Sequence, residues 1–202
     1  MLKKFVLGGM TALVLAACGG EGGSASSSAP AQSANASGSL IERINNKGTI
    51  TVGTEGTYAP FTYHDKDGKL TGYDVEVTRA VADKLGVKVE FKETQWDSMM
   101  AGLKAGRFDV VANQVGLTSP ERQATFDKSQ PYSWSGAVLV ARNDSNIKSI
   151  DDIKGVKTAQ SLTSNYGEKA KAAGAELVPV DGLAQSLTLI EQKRADATLN
   201  DE

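Results

Sequence analysis

Gly72-Tyr73-Asp74-Val75-Glu76-Val77-Thr78-Arg79-Ala80-Val81-Ala82-Asp83-Lys84-Leu85-Gly86, running on into Val87-Lys88-Val89-Glu90-Phe91, holds the transition that decides the fold. Val75, Val77, Val81, Ala82 and Leu85 recur at helical spacing from Asp74 to Leu85, and Gly86 is the residue type that closes a helix. From Val87 to Phe91 the period drops to two, the mark of a half-buried strand. The same alternation extends both ways. Upstream, Thr49–Thr54 and Phe61–Tyr63 read as strands, the second followed by an Asp67-Gly68 turn. Downstream, Trp96–Lys104 reads as a helix with Trp96, Met99, Met100 and Leu103 on one face, and Asp109–Ala112 as a strand. Ala137–Ala141 is a strong apolar strand. Strands at Val156–Ala159, Glu176–Val180 and Ala197–Leu199 then alternate with helices at Asn165–Ala173 and Ala184–Lys193. Strands and helices in alternation predict an α/β fold with mainly parallel sheets.

An internal echo divides this pattern in two. Arg107-Phe-Asp109-Val-Val-Ala-Asn113 and Arg194-Ala-Asp196-Ala-Thr-Leu-Asn200 share the spacing Arg-x-Asp-x-x-x-Asn. Aligned on it, the preceding helices match in register, with Trp96 beside Leu183, Met100 beside Leu187 and Leu103 beside Ile190. One helix-to-strand unit is therefore expected in each of two similar lobes, 40–141 and 142–202, with a hinge near Ala141-Arg142-Asn143. The second unit stops at Asn200-Asp201-Glu202 without a crossover returning to the first lobe. A C-terminally truncated second lobe is expected.

The N-terminus reads differently. Lys3 and Lys4 precede an apolar run from Phe5 to Ala17, too short for a bilayer but suited to a signal-peptide core. The run ends in Leu15-Ala16-Ala17-Cys18, which resembles the bacterial lipobox. That resemblance implies cleavage of residues 1–17 and acylation of Cys18, with palmitate among the acyl groups. More than one acyl chain would hold the protein stably on a membrane. Cys18 is the only cysteine, so the chain forms no internal disulfide. Residues 18–39, dominated by Gly, Ser, Ala, Gln and Asn, read as the lipidated Cys and a flexible tether. Twenty-two basic against 24 acidic side chains, with no basic stripe, argue against a nucleic-acid partner.

Gly72-Tyr73-Asp74-Val75-Glu76-Val77-x-x-x-Val81-Ala82-x-x-Leu85 resembles, position by position, the signature of the extracellular solute-binding proteins of polar amino-acid ABC importers, family 3 type. Supporting segments follow in that family's order: Gly53-Thr54-Glu55-Gly56-Thr57-Tyr58-Ala59-Pro60-Phe61, Trp96-Asp97, Gly106-Arg107-Phe108-Asp109-Val110, and Ser119-Pro120-Glu121-Arg122. The resemblance covers the chain from about Leu40 onward. It implies a two-lobed periplasmic-binding-protein fold, with the second lobe and its return crossover incomplete here. Asn113-Gln114-Val115 looks like the cystine- and cysteine-binding branch. Between Val115 and Pro120 the sequence is one residue longer than the usual pattern, which leaves open whether Gly116, Leu117 or Thr118 presents its amide to ligand.

An amino acid is a zwitterion, so its site needs a cation, an anion and a shaped wall. The forked donors of Arg hold a carboxylate in a defined orientation. Arg122 is the candidate, at a helix start set by Ser119 as N-cap and Pro120 at the first helical position. Read alone, Arg122 is more readily a solvated surface residue; the resemblance assigns it the ligand. The resemblance likewise makes Asp201 the acceptor for the ammonium, and Glu55 a contact to the ligand side chain. Tyr58 and Trp96 are candidate pocket walls, with a core position as the other reading of Trp96. Asn113, Gln114, Gly116 and Thr118 belong to the first-lobe binding loop. Gln160-Ser161-Leu162-Thr163-Ser164 looks like the second-lobe loop that adds donors, through Thr163 and Ser164; either is also a helix N-cap.

The mechanism implied is closure of two lobes on one ligand. A lipid-anchored monomer in the cell envelope, facing the periplasm or the exterior, would then hand the amino acid to a membrane permease driven by a separate ATPase subunit. No cofactor or metal is expected, and no phosphate-binding Gly-x-x-x-x-Gly-Lys occurs. The main rival is an enzyme on the same scaffold, such as a dehydratase or lyase. Against it, the only histidine, His64, lies next to a polar turn, and there is no Gly-x-Ser-x-Gly. A surface lipoprotein for adhesion or chemoreception is a third reading.

Overall fold

A computed structural model describes residues 38–202. The signal sequence, Cys18 and all but the last two residues of the tether lie outside the described residues.

The first lobe opens with α1 (Leu40–Lys47), a helix the sequence reading did not assign although Leu40, Ile41 and Ile44 recur at helical spacing. A capping box supplies the start, since Ser39 accepts from the Glu42 amide while Glu42 reaches back to the Ser39 amide. Gly48, in the left-handed conformation, ends it and leads into β1 (Thr49–Thr54). β2 (Thr57–Tyr58), β3 (Thr62–His64) and β4 (Leu70–Thr71) form a small antiparallel sheet. The decisive stretch folds as expected, into α2 (Tyr73–Leu85) and β5 (Lys88–Glu93). α3 (Trp96–Lys104) and β6 (Val110–Val111) follow, and β5-β1-β6 make an all-parallel sheet. Ile44, Ile50, Val52 and Ala82 are buried between its face and α1 and α2, with Val89, Phe91 and Val110 packed against them. Of the predicted α3 face, Met99 is fully buried, while Trp96, Met100 and Leu103 are half-buried.

The short helix α4 (Pro120–Thr125), capped by Ser119, precedes the second sheet. β7 (Ala137–Ala141), β8 (Lys157–Gln160), α5 (Asn165–Ala172), β9 (Glu176–Pro179), α6 (Leu183–Glu191) and β10 (Ala197–Asp201) build it in the order β7-β10-β8-β9. The sequence echo has a structural counterpart. The Asp109 amide donates to the Thr51 carbonyl (2.9 Å) in lobe one, and the Asp196 amide to the Lys157 carbonyl (2.7 Å) in lobe two. Arg107 and Arg194 likewise each donate to the carbonyl five residues back, at 2.9 and 2.8 Å.

One boundary differs from the sequence reading. β7 pairs antiparallel with β10, Ala137 opposite Asp201 and Ala141 opposite Ala197, so it is a strand of the second sheet. The passage between sheets therefore lies before Ala137, not at 141–143 as expected. An apolar run specifies a buried strand but carries no mark of its partner, and this one closes the otherwise parallel sheet as an antiparallel edge.

Candidate functional site

The two sheets present their carboxyl ends to one another across a cleft, the place where open α/β sheets bind ligands. Glu55 follows β1, Asn113 and Gln114 follow β6, the 161–164 loop follows β8, and Asp201 ends β10. Tyr58 and Trp96 complete the lobe-one wall.

Asn113 organises the lobe-one side. Nearly fully buried, it accepts through Oδ1 from the Glu55 amide (2.7 Å) and the Thr54 hydroxyl (3.2 Å), and donates through Nδ2 to Glu55 Oε2 (2.6 Å). Burial raises the Glu55 carboxyl above its ordinary value, against the lowering effect of the Asn113 bond. Gln114 stands in the left-handed region at φ 50°, held by Asp74 through its amide (2.8 Å) and its side chain (2.6 Å). Trp96 lines the cleft, and its buried Nε1–H has no partner among the described residues.

On the opposite wall, Asp201 accepts from the Tyr166 hydroxyl (2.5 Å) and from Tyr58 of the other lobe (2.8 Å). Burial and the neighbouring carboxylate push both phenols upward. Ser164 is the N-cap of α5, accepting from the Gly167 amide (2.9 Å). Thr163 does not cap. Its amide and hydroxyl donate to Asp97 across the cleft (3.0 and 2.7 Å), and its carbonyl accepts from Arg122 (2.8 Å).

Of the predicted residues, Glu55, Tyr58, Trp96, Asn113, Gln114, Ser164 and Asp201 line one cleft. Arg122, Gly116, Thr118 and Thr163 do not line it. Arg122 bridges the rim, donating to the Gly116 carbonyl (3.0 Å) as well as to Thr163, with its guanidinium 5.5 Å over the Trp96 ring. Burial lowers its basicity. Thr118 is exposed. Gln160 and Ser161, read from the sequence only as part of the second-lobe loop, line the cleft, and the sequence reading missed Asn165, Tyr166, Gly182 and Asn200 as lining residues. Asn200 carried a signal, as the counterpart of Asn113 in the echo, and its Oδ1 accepts from the Tyr58 hydroxyl (3.2 Å). Tyr166 carried none beyond its place in the first turn of a helix. His64 is exposed and outside the cleft lining, its Nε2 3.2 Å from Glu93.

Among known proteins, the model of the bacterial extracellular solute-binding proteins, family 3, matches residues 50–200. A probable amino-acid ABC transporter-binding protein of Haemophilus influenzae is 61% identical over 82% of this chain and 64% of its own length. The L-cystine-binding protein TcyA of Bacillus subtilis is 59% identical over 82% of this chain and 62% of its own. The chain thus spans less than two thirds of the length of these relatives. The unliganded, open L-cystine solute receptor of Neisseria gonorrhoeae is 96% identical over 82% of this chain and 70% of that one, at a TM-score of 0.49. An ancestral amino acid-binding protein, AncCDT-1, described as a precursor of cyclohexadienyl dehydratase, is 36% identical over 81% of this chain and 74% of that one, at a TM-score of 0.76. With its two α/β lobes, its cleft at the strand ends and this match over most of its length, the chain belongs to the bacterial extracellular solute-binding proteins, family 3.

Proposed function

We propose that the protein is a solute receptor that captures a polar amino acid, cystine or cysteine foremost, between its lobes, and that it is not an enzyme. The observation that carries this reading is the pair of carboxylates in one cleft: Glu55 from the first lobe and Asp201 from the second. A zwitterion with a second ammonium group, as in cystine, matches two acceptors, and Asp201 already receives two hydroxyl donors that orient it. The name of the 59% identical relative, an L-cystine-binding protein, supports the same substrate. Trp96 Nε1 offers a donor awaiting an acceptor. Arg122 takes the ligand carboxylate by exchanging the Thr163 and Gly116 carbonyls for it. Anchored through Cys18 in the cell envelope, the monomer delivers its ligand to an ABC permease and its ATPase.

Calorimetric titration of the purified chain with cystine, cysteine, arginine, glutamine and histidine tests this. Saturable binding of cystine or cysteine in preference to the others is the expected result. A ligand present at about a hundred times its dissociation constant should also add about 2.7 kcal/mol of stability. Binding of none, or consumption of any of them during incubation, would refute the reading.

A further inference from the structure

We propose that Asp74 is a positioning residue that ties cleft-lining Gln114 to the crossover between the two sheets, and so sets the angle at which the lobes meet. Asp74 lies in the first turn of α2 and is fully buried. Among the described residues it has no basic partner within ion-pair distance. A carboxylate so placed is tolerable only when donors satisfy it. Three do: the Gln114 amide (2.8 Å), Gln114 Nε2 (2.6 Å) and the Tyr132 hydroxyl (3.1 Å). Gln114 in turn accepts through Oε1 from the Ser133 hydroxyl (3.0 Å), and Tyr73 donates to the Tyr132 carbonyl (2.8 Å).

Both ends of this network matter to the cleft. At one end, a non-glycine residue at φ 50° persists only where its surroundings over-determine it, and Asp74 grips Gln114 by backbone and side chain together. At the other, Tyr132 and Ser133 lie just before β7, whose first residue, Ala137, pairs with Asp201. The Glu202 amide adds bonds to the Gly136 carbonyl (3.0 Å) and the Ser135 hydroxyl (2.9 Å). A continuous chain of contacts therefore runs from the start of α2 to the strand that carries Asp201. A partly buried network of this kind, centred on a fully buried carboxylate, favours one arrangement over its neighbours.

Distances between nitroxide labels at Lys84→Cys and Lys171→Cys, one exposed position in each lobe, test this in the full chain carrying Cys18→Ser. The parent should show one narrow distance population without added ligand. Asp74→Asn turns one acceptor into a donor facing Gln114 Nε2, and should broaden or split that population. Adding Gln114→Glu restores an amide–carboxylate pair with the partners exchanged, and should narrow it again; a residue that merely supports the fold would show no such rescue. Tyr132→Phe removes a single hydroxyl and should broaden the distribution by less, and it decides the matter if Asp74→Asn does not fold. With amino-acid binding established, ligand affinity should fall about tenfold in Asp74→Asn, as for loss of a charged hydrogen-bond partner. An unchanged distribution in folded Asp74→Asn or Tyr132→Phe, or broadening that Gln114→Glu leaves uncorrected, would overturn the proposal. The distances require no ligand, so they stand whether or not cystine is the substrate.

Discussion

Tyr58 donates its hydroxyl to Asp201 across 2.8 Å, from the small antiparallel sheet of the first lobe to the last strand of the second. Tyr166 of the second lobe holds the other carboxylate oxygen at 2.5 Å. One phenol therefore reports contact between the lobes, and the other fixes the carboxylate within its own lobe. Tyr58→Phe should destabilise the closed arrangement by about 1.5–3 kcal/mol, the worth of a hydrogen bond to a charged group. Tyr166→Phe should lower thermal stability by a similar amount without opening the lobes. Small-angle scattering and melting curves on both variants check this, and equal opening in the two would count against it.

Thr163 is gripped from both sides by lobe one. Asp97 takes its amide and hydroxyl, while Arg122 donates to its carbonyl. The Asp97→Ala and Thr163→Val double-mutant cycle should give a coupling of about 0.5–3 kcal/mol in chemical unfolding, as for residues in direct contact. Additive effects would mean that the contact contributes nothing to closure. Arg122→Lys should be no rescue of Arg122→Ala in ligand binding, because an ammonium cannot serve two carbonyls in a fork or stack over Trp96 as a guanidinium does.

What the sequence made legible was whatever repeats at short range. The 3.6 period of α2, the alternation of β5 and the Arg-x-Asp-x-x-x-Asn echo all mark local structure, and the structure keeps them. α1 escaped because it is only eight residues long and contains Asn45 and Asn46, of weak helical preference. Leu40, Ile41 and Ile44 at helical spacing, the capping box of Ser39 with Glu42, and Gly48 as the stop were nonetheless cues to it. β7 escaped assignment because pairing with β10 is a long-range event. In the cleft, Tyr58 and Asp201 were reachable through the family resemblance. Tyr166 and Gly182 line it only because the second lobe comes to face the first, which no periodicity encodes.

Gly72 opens α2 where space and backbone both demand glycine. Its φ is +118°, and a Cβ there would stand 2.3 Å from the Phe61 carbonyl oxygen. The neighbouring amides of Tyr73 and Asp74 donate to the Pro60 and Phe61 carbonyls, so the chain cannot retreat without breaking them. Gly72→Ala should destabilise the fold by about 3 kcal/mol or more, combining strained dihedrals with an overlap that backbone must absorb. By comparison, Gly68→Ala has open space around it, and its positive φ alone should cost about 1–2 kcal/mol. Urea titrations of the two variants check the ranking, and equal midpoints would sink the argument.

Glu55 gives the cleft a defined pH response. Burial raises its carboxyl above the ordinary 4.5 in the folded protein, so the fold holds a proton that the unfolded chain has already released. Ionisation therefore costs stability above the raised value. That stability is recovered as pH falls through it, and recovery is complete below 4.5. Glu55→Gln keeps an acceptor for Asn113 Nδ2 but removes the charge. It should melt higher than the parent at neutral pH, with the advantage shrinking steadily on acidification. A bound ammonium group beside Glu55 would favour the ionised form, so ligand should shift the parent's response to lower pH and leave the variant's unchanged. Melting temperatures of both proteins from neutral to acidic pH, with and without cystine, check each step; a difference independent of pH would show that Glu55 is not desolvated as described.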